Sequence, residues 1–467
     1  LITRTLQSIA AMCGGELSPG STAEALITGV VTDSRKITPG CLFVPLVGDS
    51  FDGHDYSESA LKAGAAATLW TRNKGAAPQG NAILVEDTLE ALQRLASAYL
   101  KEVAPRVVAV TGSNGKTTTK DIITALLETR FKVHKTQGNF NNHIGLPLTV
   151  LSMAADTEIA VLEMGMSSRG EISLLTSLAQ PDTAVITNIG ESHLLQLGSR
   201  KEIARAKLEI AEGLKPGGLL IYNGDEPLLA EVMGEPGFAA PEDLKTFRFG
   251  LGTGNDDYPT GIMAHEGGTT FTTSLHGEQV FTLPLPGRHN VVNSLAALAV
   301  ASHYGVSDEE MAAGLGRLKL TGMRIELIRA SSGLTLLNDA YNASPTSMKA
   351  AIDVLQSMKG AGAKIAVLGD MLELGPDEAD FHAEVGAYLD PEKVDLVFAY
   401  GPLSAHLAEA AAKRFGPDRV YAFTDKSAMT DLLLSKTDPK DIVLFKASRG
   451  MRLEESLQRL HAHFDQS

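Results

Sequence analysis

Short, wholly apolar runs alternate along the chain with longer segments in which apolar residues recur every three or four positions. The first kind reads as strands buried on both faces of a parallel sheet, and the second as helices that cross between them. From residue 107 this pattern predicts strands at 107–110, 159–162, 184–187 and 219–222. Upstream, strands at 41–45 and 82–85 mix with a helix at 89–100. Around 246–286 the texture changes to Thr, Phe and Gly, with turns at Gly267-Gly268 and His276-Gly277, which predicts a β-hairpin insertion followed by a helix at 290–303. A second alternating unit begins near 322, with strands at 334–337, 364–368, 396–400, 419–423 and 442–446. No Gly-x-Gly-x-x-Gly follows any of them, so the dinucleotide fingerprint is absent. The expectation is three α/β domains in series, over residues 1–103, 104–321 and 322–467.

Composition narrows the function classes. The 467 residues are 44% hydrophobic and 21% charged, as in soluble globular proteins, but only 5% aromatic, which argues against a base-stacking platform. A net charge of −15 repels polyanions, so neither a nucleic-acid partner nor a membrane surface is expected. An anionic substrate would need a local cationic site or a bound metal. Cys13 and Cys41 are the only cysteines, too few for a disulfide framework or a zinc ribbon. No window of about 18 apolar residues occurs and the first residues lack a signal-peptide core, so no membrane insertion and a cytoplasmic location are expected.

The strongest chemical motif follows the strand at 107–110: Thr111-Gly-Ser-Asn-Gly-Lys-Thr-Thr-Thr119. A strand, a Gly-rich turn and a helix opening near Thr117 or Thr118 form a cradle for phosphates, with free N–H groups at the helix start. Gly112, Ser113, Asn114 and Gly115 would wrap the phosphates, Lys116 would meet the β/γ-phosphates, and Thr117 would offer its hydroxyl to magnesium. Val110 stands where the usual phosphate loop has its first glycine. A chance Gly-Lys-Thr turn is the alternative, but the flanking strand and helix make this an ATP or GTP site. Glu163, at the end of one neighbouring strand, and His193, in the loop after another, are candidate metal ligands; a solvated strand end and a structural histidine are the alternatives. On an expected helix at 199–214, Ile203, Lys207, Ile210 and Leu214 share one face. Lys207 is therefore either a snorkelling lysine at the core edge or a desolvated amine able to capture carbon dioxide as a carbamate, an oxygen ligand for magnesium.

Further runs extend the picture: Thr32-Asp-Ser-Arg-Lys36, Phe51-Asp-Gly-His-Asp-Tyr56, Thr136-Gln-Gly-Asn-Phe-Asn-Asn142, Glu163-Met-Gly-Met166, Gly287-Arg-His-Asn290, Asn338-Asp-Ala-Tyr-Asn-Ala-Ser-Pro345 and Leu368-Gly-Asp-Met-Leu-Glu-Leu-Gly375. Together with the phosphate loop, and across almost the full chain, they resemble the Mur ligase family. The runs at 338–345 and 368–375 point to its branch that adds D-alanyl-D-alanine to UDP-N-acetylmuramoyl-tripeptide in peptidoglycan synthesis. The resemblance implies a UDP-binding N-terminal domain, a central phosphate-loop ATPase domain and a Rossmann-like C-terminal domain. It implies an ATP-dependent amide ligase working through an acyl phosphate, with two magnesium ions. Thr117 and Glu163 would serve one ion; His193 and carbamylated Lys207 would serve the other. By the same resemblance Asn290 would contact adenine, and Arg324 and Asp339 would reach phosphate and ribose. Ser34 and Arg35 would lie near the nucleotide end of the UDP substrate, and Thr136, Asn139 and Asn142 along the path of its sugar-peptide. Tyr341, Asn342 and Ser344 would help to position D-alanyl-D-alanine. Met323 separates Gly322 from Arg324, where many relatives place the glycine next to the arginine. A monomer is expected. The rival readings are a folate polyglutamylating ligase and a non-catalytic nucleotide-dependent switch.

Overall fold

The computed structural model describes residues 1–360 and 362–466, and in it the apolar runs become the inner strands of three sheets. The N-terminal unit holds a five-stranded sheet in the order Glu16–Leu17, Ala82–Val85, Ala67–Thr71, Leu42–Phe43, Val30–Val31, parallel except at its first pair. The helix Thr88–Val103 is capped by Asp87, which accepts the N–H of Glu90, and turns Leu92, Leu95 and Tyr99 inward.

The central sheet has six parallel strands in the order Lys245–Phe249, Leu219–Asn223, Thr183–Ile186, Arg106–Thr111, Ile159–Glu163, Val133–Lys135. Register decides the site: Glu163 lies opposite Val110, and Ile186 opposite Thr111. The strands that flank the phosphate-loop strand therefore end level with it, at the crevice where open parallel sheets bind ligands. The helices Lys116–Leu127 and Arg288–His303 pack together over one face of this sheet, around Ile122, Leu126, Val291 and Leu295.

Two sequence expectations need correction here. Residues 245–249 do not belong to the hairpin: Lys245–Phe249 is the edge strand of the central sheet, and the antiparallel sheet runs over Pro259–His265, Gly268–Thr273 and Phe281–Leu283. Alternating polar and apolar residues suit a half-exposed edge as well as a hairpin. The expected helix at 199–214 is α-helical only over Arg200–Leu208 and tightens to a 3₁₀ turn at Glu209–Gly213.

The C-terminal sheet runs Glu326–Arg329, Thr335–Asn338, Ile442–Lys446, Lys364–Gly369, Leu396–Tyr400, Val420–Phe423, parallel except for its antiparallel first strand. No helix among the described residues is long and apolar enough to cross a membrane.

Candidate active site

The phosphate loop is built around two glycines. Gly112 has φ 149°, and a Cβ there would sit 1.8 Å from the Thr187 hydroxyl oxygen, so no side chain fits. Gly115 has φ 78° and faces Asn293, whose amide oxygen lies 2.7 Å from where a Cβ would be. The loop is pinned from the neighbouring strand end. The Thr187 hydroxyl donates to Asn114 O (2.6 Å), while the Asn188 side chain donates to the same carbonyl (3.1 Å) and accepts the Asn114 N–H (3.0 Å). Ser113 is 5% exposed and its hydroxyl has no protein partner. Lys116, the first residue of the helix, donates to Gly112 O at 2.9 Å.

Beside the loop, the Thr117 hydroxyl donates to Glu163 Oε2 (3.0 Å) and Asn141 Nδ2 donates to Glu163 Oε1 (3.0 Å). Glu163 is 1% exposed overall, with the Lys120 ammonium 3.8 Å away. Lys207 is 1% exposed, and burial, then the charge of Lys116, pushes its amine well below the ordinary lysine range, with Glu163 and Glu171 opposing. Burial lowers Lys116 as well, against the pull of Glu163. His193 sits in a left-handed conformation (φ 63°), and its Nδ1 lies 3.2 Å from Glu373 Oε2 without the alignment of a hydrogen bond. Its imidazole is held low by burial first and by Lys207 second, with Glu373 opposing.

A cleft of about 890 Å³ runs between the central and C-terminal sheets. Ser113, Asn114, Gly115, Lys116, Thr118, Glu163, His193, Asn290, Arg324, Asp339, Tyr341 and Asn342 of the expected set line it, as do Asn139 and Asn142. Asn290 is held by its own helix start, donating to Pro286 O at 2.9 Å. The Arg324 guanidinium stacks 4.1 Å from the centre of the Tyr341 ring. Ser344 is buried as the cap of helix Pro345–Ser357, and its hydroxyl donates to Asn114 Oδ1 (3.0 Å), joining the C-terminal unit to the phosphate loop.

Gly112, Thr117, Lys207 and Ser344 are not part of the cleft lining, and three further expected residues have other places. Thr136 is 1% exposed beneath the cleft, its hydroxyl accepting the Glu163 N–H at 2.9 Å, so it supports the carboxylate rather than lining a path. The half-buried Ser34 and the exposed Arg35 lie in a turn of the N-terminal unit, where Arg35 pairs with Asp33 at 2.9 Å. The sequence reading missed Asn141, Asn188, Asn293, Glu373 and Lys446. Lys446, 3% exposed, donates to Asp339 Oδ2 (2.8 Å) and Asn342 O (2.9 Å) and so fixes the 339–342 segment. Asn141 stood inside a quoted run; Lys446, at the end of an ordinary apolar strand, gave no signal.

Among the described residues no group of three or more His, Cys, Asp or Glu side chains could hold a metal. The donor set here is of another kind. A hydroxyl already on a buried carboxylate oxygen offers the hard oxygen ligands magnesium prefers, and it fits that ion.

Family models match three stretches: "Mur ligase family, catalytic domain" over residues 26–100, "Mur ligase middle domain" over 110–301 and "Mur ligase, glutamate ligase domain" over 323–449. The UDP-N-acetylmuramoyl-tripeptide–D-alanyl-D-alanine ligase of Bacillus subtilis (strain 168) is 54% identical over 462 residues, covering 98% of this chain and 99% of its own. A crystal structure of MurF from Acinetobacter baumannii superposes with a TM-score of 0.88 at 30% identity, over 99% of both chains. MurF ligase from Thermotoga maritima in complex with ADP gives a TM-score of 0.80 at 31% identity, over 94% of this chain and 98% of that one. With a phosphate loop, a buried carboxylate and a C-terminal unit meeting at one cleft, and with relatives matched end to end, this chain belongs to the Mur ligase family.

Proposed function

We infer that the protein is an ATP-dependent amide ligase that joins D-alanyl-D-alanine to UDP-N-acetylmuramoyl-tripeptide, a cytoplasmic step of peptidoglycan precursor synthesis. The observation that carries this reading is the meeting of the phosphate loop with the 338–345 run, through Ser344 and Asn114, because it brings an ATP cradle and a candidate amine-substrate segment to one cleft. The names of the relatives supply the substrates.

A carboxylate is a poor electrophile with a poor leaving group. Transfer of the γ-phosphoryl group of ATP to the tripeptide carboxylate makes an acyl phosphate and releases ADP. The dipeptide amine attacks the acyl carbon, loses a proton, and the tetrahedral intermediate collapses to an amide with departure of phosphate. Phosphoryl transfer depends on positioning and charge compensation more than on covalent chemistry. Lys116, Arg324 and the loop N–H groups would face the phosphates, Asn290 the adenine, and Asp339, held by Lys446, the ribose. Magnesium, when bound, would neutralise phosphate charge, with Thr117 and Glu163 at one site and His193 and Lys207 at a second. Lys207 would act there as its carbamate, which converts a misplaced amine into an anion. Asn139 and Asn142 would follow the sugar-peptide, Tyr341, Asn342 and Ser344 the dipeptide, and Ser34 and Arg35 the UDP end. The functional division is 1–103 for the UDP substrate, 104–321 for ATP and 322–467 for closure over both.

Phosphate release with each substrate omitted in turn tests the reading. Release is expected only when ATP, the UDP-tripeptide and D-alanyl-D-alanine are all present. Steady ATP hydrolysis with neither acceptor substrate would favour the switch instead.

A further inference from the structure

The phosphate-loop helix Lys116–Leu127 carries a buried carboxylate that the chemistry above leaves unused. Asp121 is 2% exposed. Its Oδ2 accepts the backbone N–H of Thr321 at 2.7 Å, and its Oδ1 accepts Lys135 Nζ at 2.9 Å and the Thr321 hydroxyl at 3.4 Å. The fully buried Lys120 ammonium lies 3.6 Å from the same oxygen. Thr321 opens the turn that leads into the C-terminal sheet. On either side of Arg324 in this turn, Met323 and Ile325 have φ of 66° and 49°. A β-branched residue in the left-handed region is an outlier that persists only where its surroundings hold it. The far side of the turn is held by Asp339, which accepts the Ile325 N–H at 3.2 Å. Asp121 holds the near side.

We propose that Asp121 is a positioning residue for Arg324. It ties the start of the strained turn to the helix whose first residue is Lys116, so both phosphate-facing cations take their place from one rigid element. The proposal rests on the reading of Arg324 as a phosphate contact. Without the carboxylate, the Thr321 N–H loses its partner, the turn relaxes and Arg324 shifts relative to Lys116. Misplacement by about 1 Å costs up to ~10²-fold in rate.

A double-mutant cycle over Asp121→Ala and Arg324→Ala tests this, because residues that act through one another fail to add. The readouts are kcat for phosphate release and the Kd of a non-hydrolysable ATP analogue, the second measurable in slow variants. Asp121→Ala is expected to lower kcat by about 10- to 100-fold and to weaken analogue binding severalfold. In the Arg324→Ala background it is expected to change neither. Should Asp121→Ala fail to fold, Asp121→Asn serves the same cycle, since its amide must turn an N–H₂ toward either Lys135 or Thr321. Equal losses in both backgrounds, or wild-type kcat and Kd in the Asp121 variant, would overturn the proposal alone. Wild-type turnover by Arg324→Ala would overturn the phosphate reading and the proposal with it.

Discussion

Burial lowers the proton affinity of both Lys116 and Lys207; Arg324 adds to the first shift and Lys116 to the second, and Glu163 opposes both without cancelling either. Two buried ammonium groups beside bound magnesium would repel both the metal and each other, whereas a carbamate on Lys207 reverses one of the charges. With ¹³C-bicarbonate, a carbamate resonance is expected in the wild type and not in Lys207→Arg; its absence from the metal-loaded protein would refute the carbamate. Lys207→Ala is expected to be inactive and partly restored by acetate. Lys116→Ala, which removes the cation facing the transferred group, is expected to lose at least about 10²–10³-fold in turnover with an unchanged melting curve. Activity within threefold of wild type would take the loop out of the mechanism. His289, beside the same cleft, is pushed down to about 4 from 6.5 by burial, with Asp339 opposing and Lys446 adding to the shift. Between those values the unfolded chain binds the proton and the folded chain does not, so stability falls as pH drops through the window. His289→Gln is therefore expected to show a shallower decline of Tm from pH 6.5 to 4; equal slopes would contradict this.

One carboxylate shapes a whole segment between Arg200 and Gly213. Glu209, 5% exposed, accepts Arg169 Nε (2.9 Å) and the N–H groups of Gly170 (3.0 Å) and Ser173 (3.2 Å) at the start of helix Glu171–Ala179. Glu209 also opens the 3₁₀ turn that succeeds the α-helix ending at Leu208, so the periodicity runs on while the helix does not. Glu209→Ala strands these donors, and breaking such a buried pair costs about 3 kcal/mol, to be read from urea unfolding. A loss below 1 kcal/mol would show that water replaces the carboxylate. The sheets follow the same logic. Inner strands such as Leu396–Tyr400 and Ile442–Lys446 were legible because burial on both faces leaves an unbroken apolar run. Glu326–Arg329 escaped notice because, as an edge strand, it alternates partly buried with exposed residues.

Across the whole molecule, polar contacts link the C-terminal unit to the central one. Besides Ser344 and Asn114, the Thr346 hydroxyl donates to Glu191 (2.8 Å), and Glu373 accepts the Leu195 N–H on its carbonyl (3.1 Å) while its carboxylate faces His193. His193 and Glu373 both have left-handed backbones at this junction, a concentration of strain common where surfaces meet to work. Hydrogen bonds of this kind, which water can replace, suit a joint that opens and closes. Solution scattering is expected to show a smaller radius of gyration with nucleotide and UDP-tripeptide than without, and Glu191→Ala a weaker contraction. Identical curves in both conditions would leave the molecule permanently shut.

Local pattern determined three α/β units, the phosphate loop and the strand-end Glu163, because periodicity and turn chemistry act over a few residues. The resemblance to Mur ligases carried the ligand assignments, including those of Arg324 and Asp339, which no periodicity contains. What only the tertiary structure decided is which polar side chains meet. Thr136 lies under Glu163 because the strand Ile159–Glu163 stands beside Val133–Lys135, and Asn141 reaches the same carboxylate from the loop beyond. Lys446 meets Asp339, and Asp121 meets Thr321, across 107 and 200 residues of chain. An apolar residue announces its burial by its spacing. A buried polar residue is tolerated only for its partner, and strand order and domain docking choose that partner.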